Sequence, residues 1–304
     1  MDERLLELIT QEVLKRVREP GIQKPDDHTD DPDREYERWR VSVLSSEDYL
    51  WDITSYDIRE KWFIEEPIDQ EFLARLKAST PARIGLGRCG PRYRTIPWLR
   101  FRADHAAAMD AVFSEVPEEL IKELGLVSVR SQCSSRQEYV QRPDLGQKLA
   151  EESKEILRSQ CPRGAQVQIV VTDGLSSSAI VENAKDFLQA FKQGLSQEGL
   201  ITGTPIFVRY GRVAIMDDIG EVLQPEAVAE LIGERPGLVT AKSMSVYMCY
   251  RPRRGTVESD RSVVANIHAG GLPPAEAGAH VASMMKQILT AKASGIRLST
   301  GREG

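Results

Sequence analysis

Val167-Gln-Ile-Val-Val171 runs into Thr172-Asp173-Gly174-Leu175-Ser176, and residues 179–190 follow at helical spacing. A short apolar run that ends in a Gly/Ser turn and opens a helix is the signature of a buried strand in an α/β unit. The same alternation repeats downstream. Gly199-Leu-Ile201 and Gly203 turn into a strand over 204–209, another strand is predicted over 243–250, and a C-terminal helix over 273–293. Strands alternating with helices predict an α/β domain built on a parallel sheet. Ligands in such sheets sit beyond the carboxyl ends of the strands. Asp173, Arg212 and Glu234 all fall just past such ends.

Three loops in this half stand out. Tyr210-Gly211-Arg212-Val213 follows the apolar run Pro205-Ile-Phe-Val. Gly233-Glu234-Arg235-Pro236-Gly237 follows the weaker run Ala227-Val-Ala-Glu-Leu-Ile232. Asn266-Ile-His-Ala-Gly-Gly-Leu-Pro-Pro-Ala-Glu276 follows Ser262-Val-Val-Ala265. Gly/Pro loops at strand ends let backbone N–H groups approach a ligand. None of the three places a nucleophile beside a base, so they predict a surface that holds something large and does no chemistry alone.

Upstream, Leu5, Ile9, Val13 and Val17 form the stripe of an amphipathic N-terminal helix within 1–19, with acids at its start and bases at its end. Residues 20–36, rich in Asp and Pro, read as a flexible acidic linker. A helix set off in this way is expected to pack on its own core or to dock on a partner. Residues 37–160 read as mainly helical, with short helices over 118–124 and 144–159. Residues 161–304 make up the α/β domain.

Composition narrows the function. The 304 residues are 41% apolar and 28% charged with a net charge of −6, which gives no overall basic field for nucleic acid. The arginine-rich stretch from Arg83 to Arg102 is the local exception. It is suited to a phosphate or an acidic partner surface, or is simply a solvated face. No run approaches the ~18 apolar residues that span a bilayer, and Asp2 and Glu3 do not open a secretory signal. The chain is therefore expected in the cytoplasm, with Cys89, Cys133, Cys161 and Cys249 as reduced thiols. No cysteine or histidine spacing suits a metal, so no metal site and no catalytic residue is predicted. Among the histidines, His28 lies in the linker, His105 follows Asp104, and His280 lies on the last helix. His268, beside Gly270-Gly271, is either a loop hydrogen-bonder or a ligand contact. Asp173-Gly-Leu-Ser176 lacks the G-x-S-x-G elbow, and Asp173 reads as the N-cap of the next helix. Gly85-Leu-Gly87-Arg-Cys-Gly90 matches a dinucleotide fingerprint by letter, but the preceding Ala82-Arg-Ile84 is too short and polar for its strand. An NAD(P)-dependent α/β enzyme is thus the weakest alternative.

Gly203-Thr-Pro-Ile-Phe-Val-Arg-Tyr-Gly-Arg-Val213, Gly233-Glu-Arg-Pro-Gly-Leu238 and Asn266-Ile-His-Ala-Gly-Gly271 together resemble the small subunit (light chain) of ethanolamine ammonia-lyase. Leu99-Arg-Phe-Arg-Ala-Asp-His105, Arg142-Pro-Asp-Leu-Gly146, Asp173-Gly-Leu-Ser176 and Lys292-Ala-Ser-Gly-Ile296 support it in the same order, over about residues 80–298. The resemblance implies a Rossmann-like C-terminal domain that binds adenosylcobalamin (coenzyme B12) against a TIM-barrel large subunit. It further implies conversion of ethanolamine to acetaldehyde and ammonia. The family's cofactor contacts fall here on Val213, Glu234 and Val263, and at the last a familiar member has cysteine. The D-x-H-x-x-G motif of other cobalamin domains is not present, which implies that the cofactor keeps its own base on cobalt. Ethanolamine enzymes often sit in bacterial microcompartments, so shell proteins are further expected partners for the helix within 1–19. A non-catalytic assembly or shell-docking module is the alternative.

Overall fold

A computed structural model describes residues 52–300 of the chain. The N-terminal helix, the acidic linker and His28 lie outside the described residues. The chain divides into two units, Met1–Ala103 and Asp104–Gly304.

The described part of the first unit holds α1 (Gln70–Ala78), a hairpin of β1 (Arg88–Cys89) and β2 (Arg92–Tyr93), and the start of α2 (Thr95–Phe113). Its buried cluster is small: Tyr56, Ile58, Phe63 and Leu86, with Ile96 and Phe101 against them. Asp69 caps α1 by accepting the Phe72 N–H at 2.8 Å. The glycines from Gly85 to Gly90 occupy a loop and this hairpin, outside the large sheet. No strand-to-helix turn forms there, so the dinucleotide reading has no pyrophosphate site.

The second unit is an α/β layer structure. After α3 (Glu118–Glu123) come β3 (Val127–Arg130), α4 (Arg136–Gln141), α5 (Glu151–Gln160), β4 (Val167–Thr172), α6 (Ser177–Gln197) and β5 (Ile206–Arg209). They are followed by α7 (Ile215–Leu223), β6 (Ala227–Gly233), β7 (Met244–Tyr250), β8 (Ser262–Ile267), α8 (Pro274–Ala291) and α9 (Gly295–Thr300). The six strands lie in the order β3-β5-β4-β6-β7-β8. The first four are parallel, whereas β7 and β8 run antiparallel to their neighbours. The expected parallel sheet is therefore a mixed one. The physical reason is the connections: β6 reaches β7, and β7 reaches β8, through loops that carry no α-helix, and a parallel return needs a crossover of a dozen or more residues. β3 also brings into the sheet residues from the stretch read as mainly helical, and the expected helix over 144–159 starts only at Glu151.

Helices cover the sheet unequally. On one face α6 and α8 bury Ile180, Phe187, Phe191, Val281 and Met285 against Val167, Ile169, Val171, Ala229 and Val246. On the other, α7 presents Ile215, Met216, Ile219, Val222 and Leu223 at amphipathic spacing to Val170, Ile206, Val208 and Val228. β4 and β6, buried at every residue, form the centre of this core. Fully burying each such side chain contributes about 1.5–3 kcal/mol.

Candidate functional site

The helix after β4 packs on one face of the sheet and the helix after β5 on the other. The crevice between the tips of β4 and β5 is where open α/β sheets receive ligands. Here the protein fills it. Asp173, fully buried, accepts the Tyr210 N–H on Oδ1 at 2.8 Å and Arg136 Nη2 on Oδ2 at 3.0 Å. Arg136 also donates to the carbonyls of Gly174 (2.7 Å) and Ser114 (2.9 Å) and to Ser177 Oγ (2.6 Å). Its guanidinium lies 5.3 Å from the ring centres of both Tyr139 and Tyr210. Arg212 joins the same cluster, 4.2 Å from the Tyr139 ring centre and donating to the Tyr139 carbonyl. Asp173 and Arg212 thus build an internal knot and not a ligand rim. Nor is Asp173 the helix cap: Ser176 Oγ accepts the Ala179 N–H at 3.1 Å and fills that role.

The glycines at the ends of β4 and β6 serve the same closure. Gly174 has φ +56°, and a Cβ there would lie 2.4 Å from the Gly233 carbonyl. A Cβ on Gly233 would lie 2.0 Å from the Ser176 carbonyl. The two backbones touch, sealed by the Leu175 N–H donating to the Gly233 carbonyl at 3.0 Å. Their role here is chain against chain.

Glu234 sits past the end of β6, half-buried. Its Oε1 accepts Ser245 Oγ at 2.5 Å and the Asn266 N–H at 2.9 Å, so it ties the end of β8 to β7. Burial pushes its carboxyl up, but these hydrogen bonds outweigh burial and hold it below its ordinary value. Asn266, at φ +61°, passes the order on. The Gly270 N–H donates to His268 Nδ1 at 3.1 Å, so the ring proton is on Nε2, 2.8 Å from Asn266 Oδ1. His268 is thereby a loop hydrogen-bonder.

A second feature lies on the α7 face. Strand register aligns Ile206, Val170, Glu230, Tyr247 and Val263 across five strands. The first three are fully buried, Tyr247 is half-buried, and Val263 is 49% exposed. Val213 stands at the start of α7 on this same side, partly buried against its core. The strand that precedes Val213 and the strand that carries Val263 are four spacings apart, about 19 Å. The three expected contacts therefore spread over one broad edge of the domain: Val213 mostly as packing, Glu234 as an acceptor on the rim, Val263 as an open side chain. Among the described residues no group of His, Cys, Asp or Glu could hold a metal ion, and no helix is long and apolar enough to cross a membrane.

The sequence gives no sign that Glu230 is special, yet it is fully buried and neither carboxylate oxygen has a hydrogen-bond partner. Burial drives its carboxyl well above the ordinary value, against the pull of Arg261. Asp173 and Asp217 are each pushed up from 3.8 to about 6, again by burial, against Arg136 and Arg261 respectively. All three hold their protons longer in the folded state than in the unfolded one. Their stabilisation is complete below the unfolded value and is lost as pH rises toward the folded one. Asp173 and Asp217 should lower unfolding free energy between about pH 4 and 6, and Glu230 should carry that fall on to higher pH. Glu230→Gln should remove part of that fall, so that urea titrations favour the variant increasingly as pH approaches neutrality. A difference between the two that does not change with pH would disprove this assignment.

Comparison with known proteins gives a consistent picture. Residues 70–299 match the family model described as ethanolamine ammonia-lyase light chain. The chain is 49% identical over 257 residues to an ethanolamine ammonia-lyase small subunit of Clostridium perfringens, covering 84% of this chain and 87% of that one. It is 48% identical over 258 residues to the protein so named in Listeria monocytogenes, covering 85% and 88%. It is 50% identical over 256 residues to the one in Clostridioides difficile, covering 84% and 87%.

Proposed function

Because the chain belongs to the ethanolamine ammonia-lyase light-chain family, we propose that it acts as the small subunit of that lyase and closes over adenosylcobalamin held against a TIM-barrel large subunit. The complex converts ethanolamine to acetaldehyde and ammonia. The observation that carries this reading is the family match over 70–299, which includes every strand of the large sheet.

The residues fit the group. A large macrocycle needs a broad apolar platform with acceptors at its rim, and the α7 face offers a half-buried Tyr247 and an open Val263 with Glu234 at the strand end. Val213, Glu234 and Val263 are the residues assigned to hold it, and the β4–β8 part of the sheet is the Rossmann-like element of this proposal. Bound adenosylcobalamin supplies the radical chemistry. This chain shields and positions, and donates no catalytic side chain. His268, with both ring nitrogens engaged in its own loop, offers no replacement ligand, which supports binding with the cofactor's own base on cobalt. The addressing role expected of residues 1–19, toward microcompartment shell proteins, belongs to the same proposal and rests on their apolar stripe alone.

The chain purified with a large subunit should release ammonia from ethanolamine and retain corrin absorbance, and the chain alone should do neither. Turnover by the lone chain would overturn the subunit reading.

A further inference from the structure

The arginine-rich stretch is not absorbed by the cofactor face. Residues 83–102 contain six arginines and no acidic residue, in a chain of net charge −6. Two of the six are structural. Arg100 Nη1 donates to the carbonyls of Thr54 and Tyr56, and Arg94 pairs with Glu65 at 2.7 Å. Three of the others lie over a strip of rings. Arg83 stacks on Phe101 at 5.2 Å, Phe101 meets Tyr93 at 5.5 Å between ring centres, and Arg88 stacks on Tyr93 at 5.0 Å. One turn back on α2, Arg102 stacks on Trp98 at 5.7 Å. Tyr93 is 38% and Trp98 45% exposed, and Arg88, Arg92 and Arg102 are exposed. Among the described residues none of these last three arginines pairs with an acid.

A guanidinium held over a ring face, or, as in Arg88 and Arg92, by one N–H on the hairpin carbonyls of Pro91 (3.1 Å) and Tyr93 (3.3 Å), has less rotamer freedom left to lose when a carboxylate arrives and keeps further N–H donors for it. Exposed arginine interleaved with tyrosine and tryptophan is the composition of an interface core. We propose that this strip is a docking surface for a carboxylate-rich patch on the large subunit, an inference that rests on the subunit assignment above. Charge selects among occupants. An extended polyanion would face repulsion from the remainder of an acidic chain. A second copy joined by a two-fold axis would bring this strip against itself, like charge on like. A local acidic patch on a different protein meets neither objection.

The test uses the complex of full-length chain and large subunit. Arg88→Glu/Arg92→Glu/Arg102→Glu should raise the subunit dissociation constant at least about tenfold at low salt and flatten its salt dependence. The matched variant Arg158→Glu/Arg163→Glu/Lys192→Glu, exposed positions on the second unit, should leave both unchanged. Circular dichroism of each lone chain checks that the fold survives. Equal weakening by the two triples would overturn the proposal, because net charge alone would then explain it. A self-association of the lone chain lost in the first triple would overturn it in favour of a second copy. Retention on duplex RNA lost in that triple, with subunit affinity unchanged, would overturn it in favour of a polyanion. A wild-type chain that never joins a large subunit sinks the subunit assignment itself, whereas a normal complex indifferent to the first triple sinks only this docking surface.

Discussion

Arg136→Ala should cost the domain about 3–5 kcal/mol of unfolding free energy, the usual penalty for removing one partner of a buried ion pair. The side chain donates to four acceptors drawn from α6, the β4–α6 loop and the segment after α2. Its loss leaves Asp173 fully buried with only the Tyr210 N–H and a distant Thr172 hydroxyl as hydrogen-bonding neighbours. It also leaves the Gly174 carbonyl without its donor. Arg136→Lys keeps the charge, but a single ammonium with three protons cannot reproduce the planar fork, so it should fall between wild type and alanine. Asp173→Asn in the alanine background should recover part of the loss by removing the stranded charge, a coupling that a double-mutant cycle reads directly. The measurement is the urea midpoint with its slope. An Arg136→Ala variant within about 1 kcal/mol of wild type would show that the knot contributes little beyond packing.

The knot also shows what the sequence concealed. Strand β4 was legible, because five consecutive apolar or amide residues between turn signals admit few alternatives. The loops after β4 and β6 are legible as special, but the sequence does not say what their glycines meet. Gly174 and Gly233 are needed because two backbones touch there, and a glycine demanded by the chain's own backbone reads the same as one demanded by a ligand. Arg136 lies on a six-residue helix in a polar stretch, and nothing in its neighbours marks it as buried. Glu230 misled in the opposite sense. A glutamate inside Ala227-Val-Ala-Glu-Leu-Ile232 weakens the strand pattern, since a charged residue in a strand normally marks a solvated face, yet both faces of β6 are covered. Strand direction is written in the loop lengths. The loops from β6 to β7 and from β7 to β8 are too short for helical crossovers, which alone implies antiparallel pairing. β3, four residues with mixed burial, is too short for its alternation to stand out. Of the three positions assigned to the cofactor, only register could separate their roles: Val263 pairs with Tyr247 on the open part of the sheet, whereas Val213 packs inward.

That separation makes Val263→Asp the sharpest test of the cofactor face. The side chain is 49% exposed on an edge strand, so a carboxylate there stays hydrated in the free chain and the fold should be unaffected. If the α7 face of β7 and β8 lies against a corrin ring, the same carboxylate becomes buried without a partner on binding, at a cost above the ~1–3 kcal/mol of an unpaired neutral polar group. Corrin retention by the complex should then fall at least about tenfold, read by equilibrium dialysis and by absorbance of the purified protein, independently of turnover. Glu234→Ala should have a smaller effect, about 0.5–1.5 kcal/mol for one lost hydrogen bond, and part of it should appear as loosening of the loop after β8, because Glu234 also holds the Asn266 N–H. Val213→Asp should lower the urea midpoint as well as retention, since that side chain packs against the α7 core. The order of the first two on retention at constant fold, Val263→Asp before Glu234→Ala, distinguishes contact through the open sheet face from contact through the rim. Corrin retained equally by Val263→Asp and wild type, with the complex intact, would remove β8 from the cofactor site and leave the face carrying Tyr247 and Val263 for the large subunit.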